Sequence, residues 1–162
     1  MPGKPAPPAG QESRARLVHL AYTILSPMLG DRRFLIARMA VEQALRSTPG
    51  TAGPTEYQQL RANVVRWALT AGRRGSTGAT SATRALRRAR ASAGASELAW
   101  LLPATRAAYA LHHLEGLDPE ATWEVLRRAG VGDPSAATTL AARIRPDMAG
   151  RLRPAVGMAA YF

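Results

Sequence analysis

Two Asp-Pro pairs, Asp118-Pro119 and Asp133-Pro134, most strongly limit what this chain can fold into. An Asp side chain can cap the free amides of a first helical turn, and Pro is tolerated at the first helical position. Gly116 and Gly130 stand just before these pairs, where a preceding helix should end. The stretch 102–145 therefore predicts three helices separated by two turns, which is the layout of a helix-turn-helix.

Apolar residues at helical spacing predict three further helices nearer the N-terminus. They run from Gln11 to Met28, from Asp31 to about Arg46 and from Thr55 to Gly72. The apolar residues of the first are Leu17, Leu20, Ala21, Ile24 and Met28. Those of the second are Phe34, Leu35, Ile36, Met39, Val41 and Leu45. Those of the third are Tyr57, Leu60, Val64, Trp67, Ala68 and Ala71. No stretch alternates over strand length, so the sequence predicts an all-α protein.

The stretches between these helices divide the 162 residues into two small helical domains joined by a flexible basic linker. Residues 1–11 are rich in Pro and predict a disordered tail. Residues 12–75 form the first predicted domain and 98–147 the second. The linker, 76–97, is made of small residues and Arg, and 148–162 is a C-terminal tail.

Several classes of function are disfavoured by what the sequence lacks. There is no cysteine, hence no disulfide framework and no thiol nucleophile. No apolar run is long enough to cross a bilayer, and the N-terminus lacks the apolar core of a signal peptide, so we expect a cytoplasmic protein with no membrane partner. His112, His113 and Glu115 are too few for a four-ligand metal site and are interpreted as surface residues of a helix. No nucleophile-base arrangement is recognisable, which predicts a protein that is not an enzyme and needs no cofactor.

The formal net charge of +11 favours an anionic partner, with nucleic acid as the first choice and a membrane surface or an acidic protein as the second. Between Tyr57 and Ser96 there are eight Arg and no acidic residue. Lys4 is the only lysine, and such heavy use of Arg and Ala is also typical of a high-GC genome. Part of the charge therefore has a compositional explanation.

The third predicted helix carries a first set of candidate DNA-binding residues. These are Arg61, Arg66, Trp67, Arg73 and Arg74. Arg can pair bidentately with a phosphate, and an exposed Trp can stack on an unpaired base. The alternative is that Trp67 belongs to the core beside Val64, with the Arg residues as a solvated face.

The C-terminal helices carry the second set. A core between them is predicted to consist of Ala104, Ala108, Leu111, Leu114, Thr122, Val125, Leu126, Ala129, Ala137, Leu140, Ala141 and Ile144. The last helix would then expose Ser135, Thr138, Thr139, Arg143 and Arg145, and Arg127 and Arg128 complete the candidate set. In a helix-turn-helix the exposed residues of the last helix face the major groove.

Three patches, taken in order, resemble the extracytoplasmic-function (ECF) type of bacterial RNA polymerase sigma factor. The patch similar to the start of region 2 of that family consists of Leu17-Val-His-Leu-Ala-Tyr22, Gly30-Asp31-Arg32 and Glu42-Gln-Ala-Leu-Arg46. The patch that resembles the later part of region 2 is Tyr57-Gln-Gln-Leu60-Arg61-Ala-Asn-Val64-Val65-Arg66. The patch similar to region 4 consists of Leu102-Pro103-x-x-Arg106, Leu114-Glu-Gly-Leu117 and Glu124-Val-Leu126. The likeness covers most of residues 14–145, and the composition resembles that of actinobacterial proteins.

This resemblance implies a transcription-initiation protein that binds promoter DNA and RNA polymerase core. In the family, region 2 contacts the −10 promoter element and region 4 reads the −35 element. The first domain here would accordingly be a region 2-like bundle and the second a region 4-like helix-turn-helix. An anti-sigma factor or another regulatory protein is a further partner that the resemblance implies.

Two departures from the family pattern leave a second interpretation open. Family members usually carry a Glu-Asp pair that helps region 2 dock on the polymerase, whereas this chain has Ile36, Ala37 and Arg38 there. Their recognition helix usually has basic residues where this chain has Ala137 and Thr139. The alternative is a degenerate sigma-like protein that acts as a protein-interaction module or regulator without initiation activity. A continuous stripe of Arg would favour DNA, and an exposed apolar groove would favour the interaction module.

Overall fold

The computed structural model describes residues 9–25, 29–30, 32–48, 54–74 and 101–144, and these ranges contain six α-helices and no strand. The helices are α1 (Ala9–Ile24), α2 (Arg32–Ser47), α3 (Pro54–Arg74), α4 (Pro103–His113), α5 (Pro119–Arg128) and α6 (Pro134–Ala142). The all-α class predicted from the sequence is confirmed for this part of the chain. None of the helices, as far as the described residues extend, combines the length and the apolar character that a membrane span needs.

The predicted caps and stops of the C-terminal helices are present. Asp118 Oδ1 accepts a hydrogen bond from the Ala121 amide at 2.7 Å, and Asp133 Oδ1 accepts one from the Ala136 amide at 2.9 Å. Gly130 follows α5 at a φ of 81°, in the left-handed region that favours glycine. The Val131 amide then donates back to the Leu126 carbonyl at 3.1 Å, which closes the end of α5. Local sequence therefore fixes where these short helices begin and end.

Helices α1, α2 and α3 pack on one another around a core of small and medium apolar side chains. The predicted inner faces of α1 and α3 are confirmed, since Leu17, Leu20, Ile24, Val64 and Ala68 are buried. Helix α1 ends at Ile24, before the predicted end at Met28, which lies outside the described residues.

Helix α2 departs from the usual inward placement of large apolar residues. Its buried face consists of Arg33, Ala37, Ala40, Val41 and Ala44. Three of its large aliphatic side chains point outward, since Leu35 is 59% exposed, Met39 56% and Leu45 40%, whereas Ile36 packs against the core. Alanines on the inner face allow the helices to approach closely, and the larger residues are left at the surface.

Helix α4 lies at the centre of the described structure. All seven residues from Thr105 to Leu111 are buried, because α4 packs against α1 and α3 as well as against α5 and α6. A helix enclosed on all sides needs side chains around its whole circumference that are apolar or that form hydrogen bonds within the protein. Tyr109 and Thr105 therefore join the core, which the helical periodicity did not predict.

For one residue of the C-terminal helices, the predicted place in the core is wrong. Leu140 is 47% exposed, because α6 turns Ala137 and Ala141 toward α4 instead. The remaining predicted residues are buried or pack partly against the core, namely Ala104, Ala108, Leu111, Leu114, Thr122, Val125, Leu126, Ala129, Ala137, Ala141 and Ile144.

The two predicted helical segments share one hydrophobic cluster. Side chains of α1, α2 and α3 and side chains of α4, α5 and α6 belong to the same continuous core. The linker 76–97 and the two predicted tails lie outside the described residues, apart from the start of α1 at Ala9. The domain boundaries stay a prediction.

Candidate nucleic-acid interface

Helices α5 and α6 are joined by a turn at residues 129–133, in the stretch where the sequence predicted a helix-turn-helix. The solvent side of α6 carries Ser135, Thr139 and Arg143, all of which are exposed. Thr138 is half-buried, and its hydroxyl donates to the Pro134 carbonyl at 2.8 Å. Arg145 lies outside the described residues. The outer face of α6 therefore offers short polar groups and one described cation.

Three exposed arginines from two different helices lie together beside this pair. Arg66 of α3 donates from Nη2 to the Arg128 carbonyl at 2.6 Å, across 62 residues of sequence. Arg127 and Arg128 are the last two residues of α5. We call Arg66, Arg127 and Arg128 the cationic corner. The sequence named all three as candidates, and the packing of α3 on α5 brings them to one place.

Glu124 organises two members of the cationic corner. Arg127 donates to both of its carboxylate oxygens at 2.8 Å, and Arg128 Nε donates to Oε1 at 2.7 Å. These hydrogen bonds from Arg127 and Arg128 lower the pKa of Glu124 to about 2. Three arginines and one glutamate leave the corner with a net charge of two positive units. The Arg127 guanidinium also lies 5.7 Å from the ring centre of Trp123.

Arg61 lies inside the protein, apart from the cationic corner. Its side chain is 9% exposed and faces Glu115, with 3.5 Å between Nη1 and Oε2. The same Glu115 oxygen accepts a hydrogen bond from the Tyr57 hydroxyl at 2.9 Å, and the Glu115 side chain is only 3% exposed. Arg16 of α1 approaches the carboxylate at 3.9 Å. Arg61 therefore joins α3 to the end of α4 in this arrangement, and DNA would not reach it without a rearrangement.

Burial and charge act together on Tyr57. Burial and then the neighbouring Glu115 carboxylate raise the pKa of Tyr57 to about 12, because both disfavour a phenolate. Tyr57 thus remains a hydrogen-bond donor to Glu115 throughout the neutral range. We call Tyr57, Arg61 and Glu115 the Glu115 cluster.

The other candidates on α3 do not form part of the corner. Trp67 is half-buried and packs against the core, as the alternative interpretation of this residue predicted. The side chains of Arg73 and Arg74 lie outside the described part of the structure. The candidate DNA-binding residues described on α3 thus divide into the exposed Arg66 and the more internal Arg61 and Trp67.

Two further buried arginines hold the C-terminal end of α1. Arg33 donates to the Tyr22 carbonyl at 2.7 Å and to the Thr23 carbonyl at 3.4 Å, while Arg106 donates to the Ile24 carbonyl at 3.0 Å. The last carbonyls of a helix are unpaired and carry partial negative charge, so cations are favoured there. Burial, and secondarily the charge of Arg33, lower the pKa of Arg106 to about 10.

Sequence reasoning did not find the structural roles of Arg106 and Glu115. The only available signal was that each is a lone charge in or beside the Ala-rich, apolar segment that became α4. Such a charge indicates burial with a partner, but it does not identify the partner. The partners come from helices more than fifty residues away.

His112 and His113 are half-buried, which differs from their predicted place on the surface. His112 Nδ1 lies 2.7 Å from the Leu117 carbonyl oxygen, and the His113 ring contacts the Tyr109 ring at a tilt of 47°, with 4.4 Å between the ring centres. Burial lowers the pKa of His113, and His112 lowers it further. Within the described residues, no group of three or more potential ligands could hold a metal ion.

Comparisons of the chain with protein-family models, with curated proteins and with solved structures find no match.

Proposed function

We propose that this protein is a DNA-binding transcription protein of the sigma-factor type, with promoter DNA and RNA polymerase core as its partners. The observation that carries the proposal is the Asp-capped pair α5–α6 with the cationic corner beside it. A positioned helix and neighbouring phosphate-binding groups are the two parts that a helix-turn-helix needs to hold a duplex.

The cationic corner supplies the affinity in this proposal. Arg66 and Arg128 present exposed guanidinium groups from two helices, and Arg127 lies beside them. Arginines neutralise phosphates and release the counterions condensed on DNA, so binding of this kind weakens as salt rises. Selectivity for sequence would come from the exposed side chains of α6, chiefly Ser135, Thr139 and Arg143.

Binding to RNA polymerase core, and a role for the first segment at the −10 element, rest on the sequence resemblance. The proposed polymerase partner is supported by the order of the three patches along the chain. The inward position of Arg61 limits the part that α3 takes in DNA binding to Arg66 and to residues beyond it.

A second candidate function is a protein-interaction module or regulator that keeps this helical arrangement without initiating transcription. The observation that favours it is the distribution of arginines. Arg61 is used internally, Arg143 at the end of α6 is the one cation described there, and three of the six exposed large apolar residues of the described part lie on α2. A DNA-binding surface with few free cations binds weakly.

The test of DNA binding uses the full chain and a fluorescein-labelled duplex of mixed sequence, titrated by fluorescence anisotropy over a salt series. Arg66→Ala should weaken binding and reduce the slope of log K against log salt by about 1, because one phosphate contact is lost. Arg66→Lys keeps the charge and should keep the slope. Arg38→Ala, which removes an exposed arginine on α2, is the matched control.

Equal effects of Arg66→Ala and Arg38→Ala would contradict a specific role for the cationic corner. Co-purification with RNA polymerase core over a salt series separates the two functions. Stoichiometric binding to core supports the sigma-type role, whereas duplex binding without core binding leaves a DNA-binding regulator. Absence of both favours the interaction module.

A further inference from the structure

Leu140 gives the exposed side of α6 an apolar group that the fold leaves in water. The sequence predicted this residue in the core, but 47% of its surface is exposed. Ala136 lies one helical turn before it and Arg143 three residues after it, and both are exposed as well. Leu140 therefore lies on the side of the proposed recognition helix that is open to a ligand.

The polar side chains of α6 are poorly suited to read bases by hydrogen bonding. The helix, Pro134–Ala142, contains no Asn, Gln, Arg or Lys and no acidic residue. Its polar side chains are Ser135, Thr138 and Thr139, and the Thr138 hydroxyl already donates to the Pro134 carbonyl at 2.8 Å. Arg, Lys, Asn and Gln are the side chains that recognise purines by paired hydrogen bonds. Such recognition is therefore left to residues outside α6, such as Arg143.

One base-edge group in the major groove is itself apolar, namely the C5 methyl group of thymine. A leucine beside this methyl removes apolar surface of both groups from water, which is favourable. A leucine beside the polar edge of a G·C pair would instead displace water from donors and acceptors without replacing its hydrogen bonds, which is unfavourable. Leu140 at a base edge therefore favours thymine.

A protein partner fits this side of α6 less well. The helix contains no other Leu and no Ile, Val, Met or aromatic residue. The exposed neighbours Ser135, Thr139 and Arg143 are polar. Protein interfaces are centred on clusters of large buried anchors, which one leucine does not supply. The positive charge of the cationic corner beside the α5–α6 pair is complementary to a DNA duplex.

We propose that Leu140 is a specificity-determining residue that contacts the C5 methyl group of thymine in the major groove. The exposed methyl group of Ala136 extends the same apolar strip by one turn. The protein would accordingly prefer duplex sites in which A·T pairs meet α6. This inference rests on the proposed function, because it requires α6 to enter a DNA duplex, but it does not depend on binding to RNA polymerase.

The experiment compares two fluorescein-labelled duplexes of alternating A·T pairs that differ in one group. One contains thymine, and the other contains deoxyuridine, which lacks the C5 methyl, at every thymine position. Base pairing and phosphate charge are the same in both, and every register of α6 on the duplex meets the same groups. The full chain, titrated by fluorescence anisotropy, should bind the thymine duplex about threefold more tightly for each methyl group that Leu140 covers.

Leu140→Ser should bind both duplexes alike, whereas Leu140→Met keeps an apolar side chain and should keep most of the preference for thymine. Leu102→Ser is the matched control, because Leu102 is also an exposed leucine and lies outside α6. It should retain the full preference. Circular dichroism of every variant checks that the helices persist, and the comparison of the two duplexes on the unmodified chain requires no substitution.

The salt dependence separates the apolar contact from the phosphate contacts. Arg66→Ala should weaken binding of both duplexes equally and reduce the slope of log K against log salt. The ratio of the two affinities should stay the same in this variant and at every salt concentration, because a methyl contact releases no counterions.

Equal binding of the two duplexes by the unmodified chain would overturn the inference and leave the proposed DNA-binding function intact. A preference for thymine that survives unchanged in Leu140→Ser would also overturn it, because the methyl group would then be recognised elsewhere or through the shape of the duplex. If neither duplex binds at low salt, the proposed DNA-binding function fails and the inference fails with it.

Discussion

At the scale of single residues, Glu115 makes more tertiary contacts than its place in a turn suggests. It follows α4 directly in the chain, yet it accepts a hydrogen bond from Tyr57 and faces Arg61, both on α3. Water is nearly excluded from this carboxylate, so its interactions with Arg61 and Tyr57 are stronger than at the surface. Removing one charge would leave the other buried without a partner, which is costly.

Glu115→Gln should therefore reduce the free energy of unfolding by about 3 kcal/mol, because Arg61 keeps its charge in a buried position. Urea denaturation followed by circular dichroism measures the change. Glu120→Gln removes an exposed acid of α5 and should stay within about 0.5 kcal/mol of the unmodified chain. If Glu115→Gln lowers the free energy of unfolding by no more than this control does, the Glu115 cluster contributes little to stability.

At the scale of elements, α6 depends on its cap more than the longer helices do. It has only nine residues, and such short helices are marginal without caps and tertiary packing. Asp133 satisfies one amide of its first turn, and Ala137 and Ala141 hold it against α4. The cap therefore also helps to hold Ser135 in place at the start of the proposed recognition helix.

Asp133→Ala should lower the free energy of unfolding by about 1 kcal/mol, since the first turn of α6 loses its side-chain acceptor. It should also weaken binding of duplex DNA, because the beginning of α6 frays. Asp133→Ser retains a capping oxygen and should preserve most of both properties. Chemical denaturation and DNA anisotropy on the same samples make the comparison. Equal behaviour of the Ala and Ser variants would argue against a capping role.

At the scale of the whole molecule, the described helices act as one packed unit. Arg106 of α4 holds the end of α1, Arg66 of α3 binds the end of α5, and the hydrophobic cluster is continuous. A shared core couples the stability of both segments, so we expect them to unfold together. The closed arrangement also keeps Arg61 away from solvent.

Single-tryptophan variants test this coupling. One retains Trp67 on α3 and the other retains Trp123 on α5, with the remaining tryptophans changed to Phe. Each variant is unfolded in urea and followed both by fluorescence and by far-ultraviolet circular dichroism. The two unfolding transitions of one variant should coincide. A fluorescence transition clearly separated from the dichroism in either variant would instead support two domains that fold independently, as the sequence predicted.

The resemblance to sigma factors and the DNA-binding roles of individual residues stay predictions. The sequence named all three arginines of the cationic corner as candidates, and each of them is exposed, as Arg side chains usually are. It did not separate Arg61 from Arg66, although both lie on the same helix. The difference depends on what packs against each side of α3, and helical periodicity carries no information about the neighbouring element.

The sequence by itself determined the helical class and the ends of the C-terminal helices, because these depend on contacts within a few residues. Asp133 caps its own helix and Gly130 takes a positive φ regardless of what lies across the core. Only the tertiary structure decided that Glu115 and Arg106 would be buried and that Leu35 and Met39 would be exposed. These outcomes depend on which helices meet, and residues distant in sequence set that packing through shape and through the requirement that buried charges find partners.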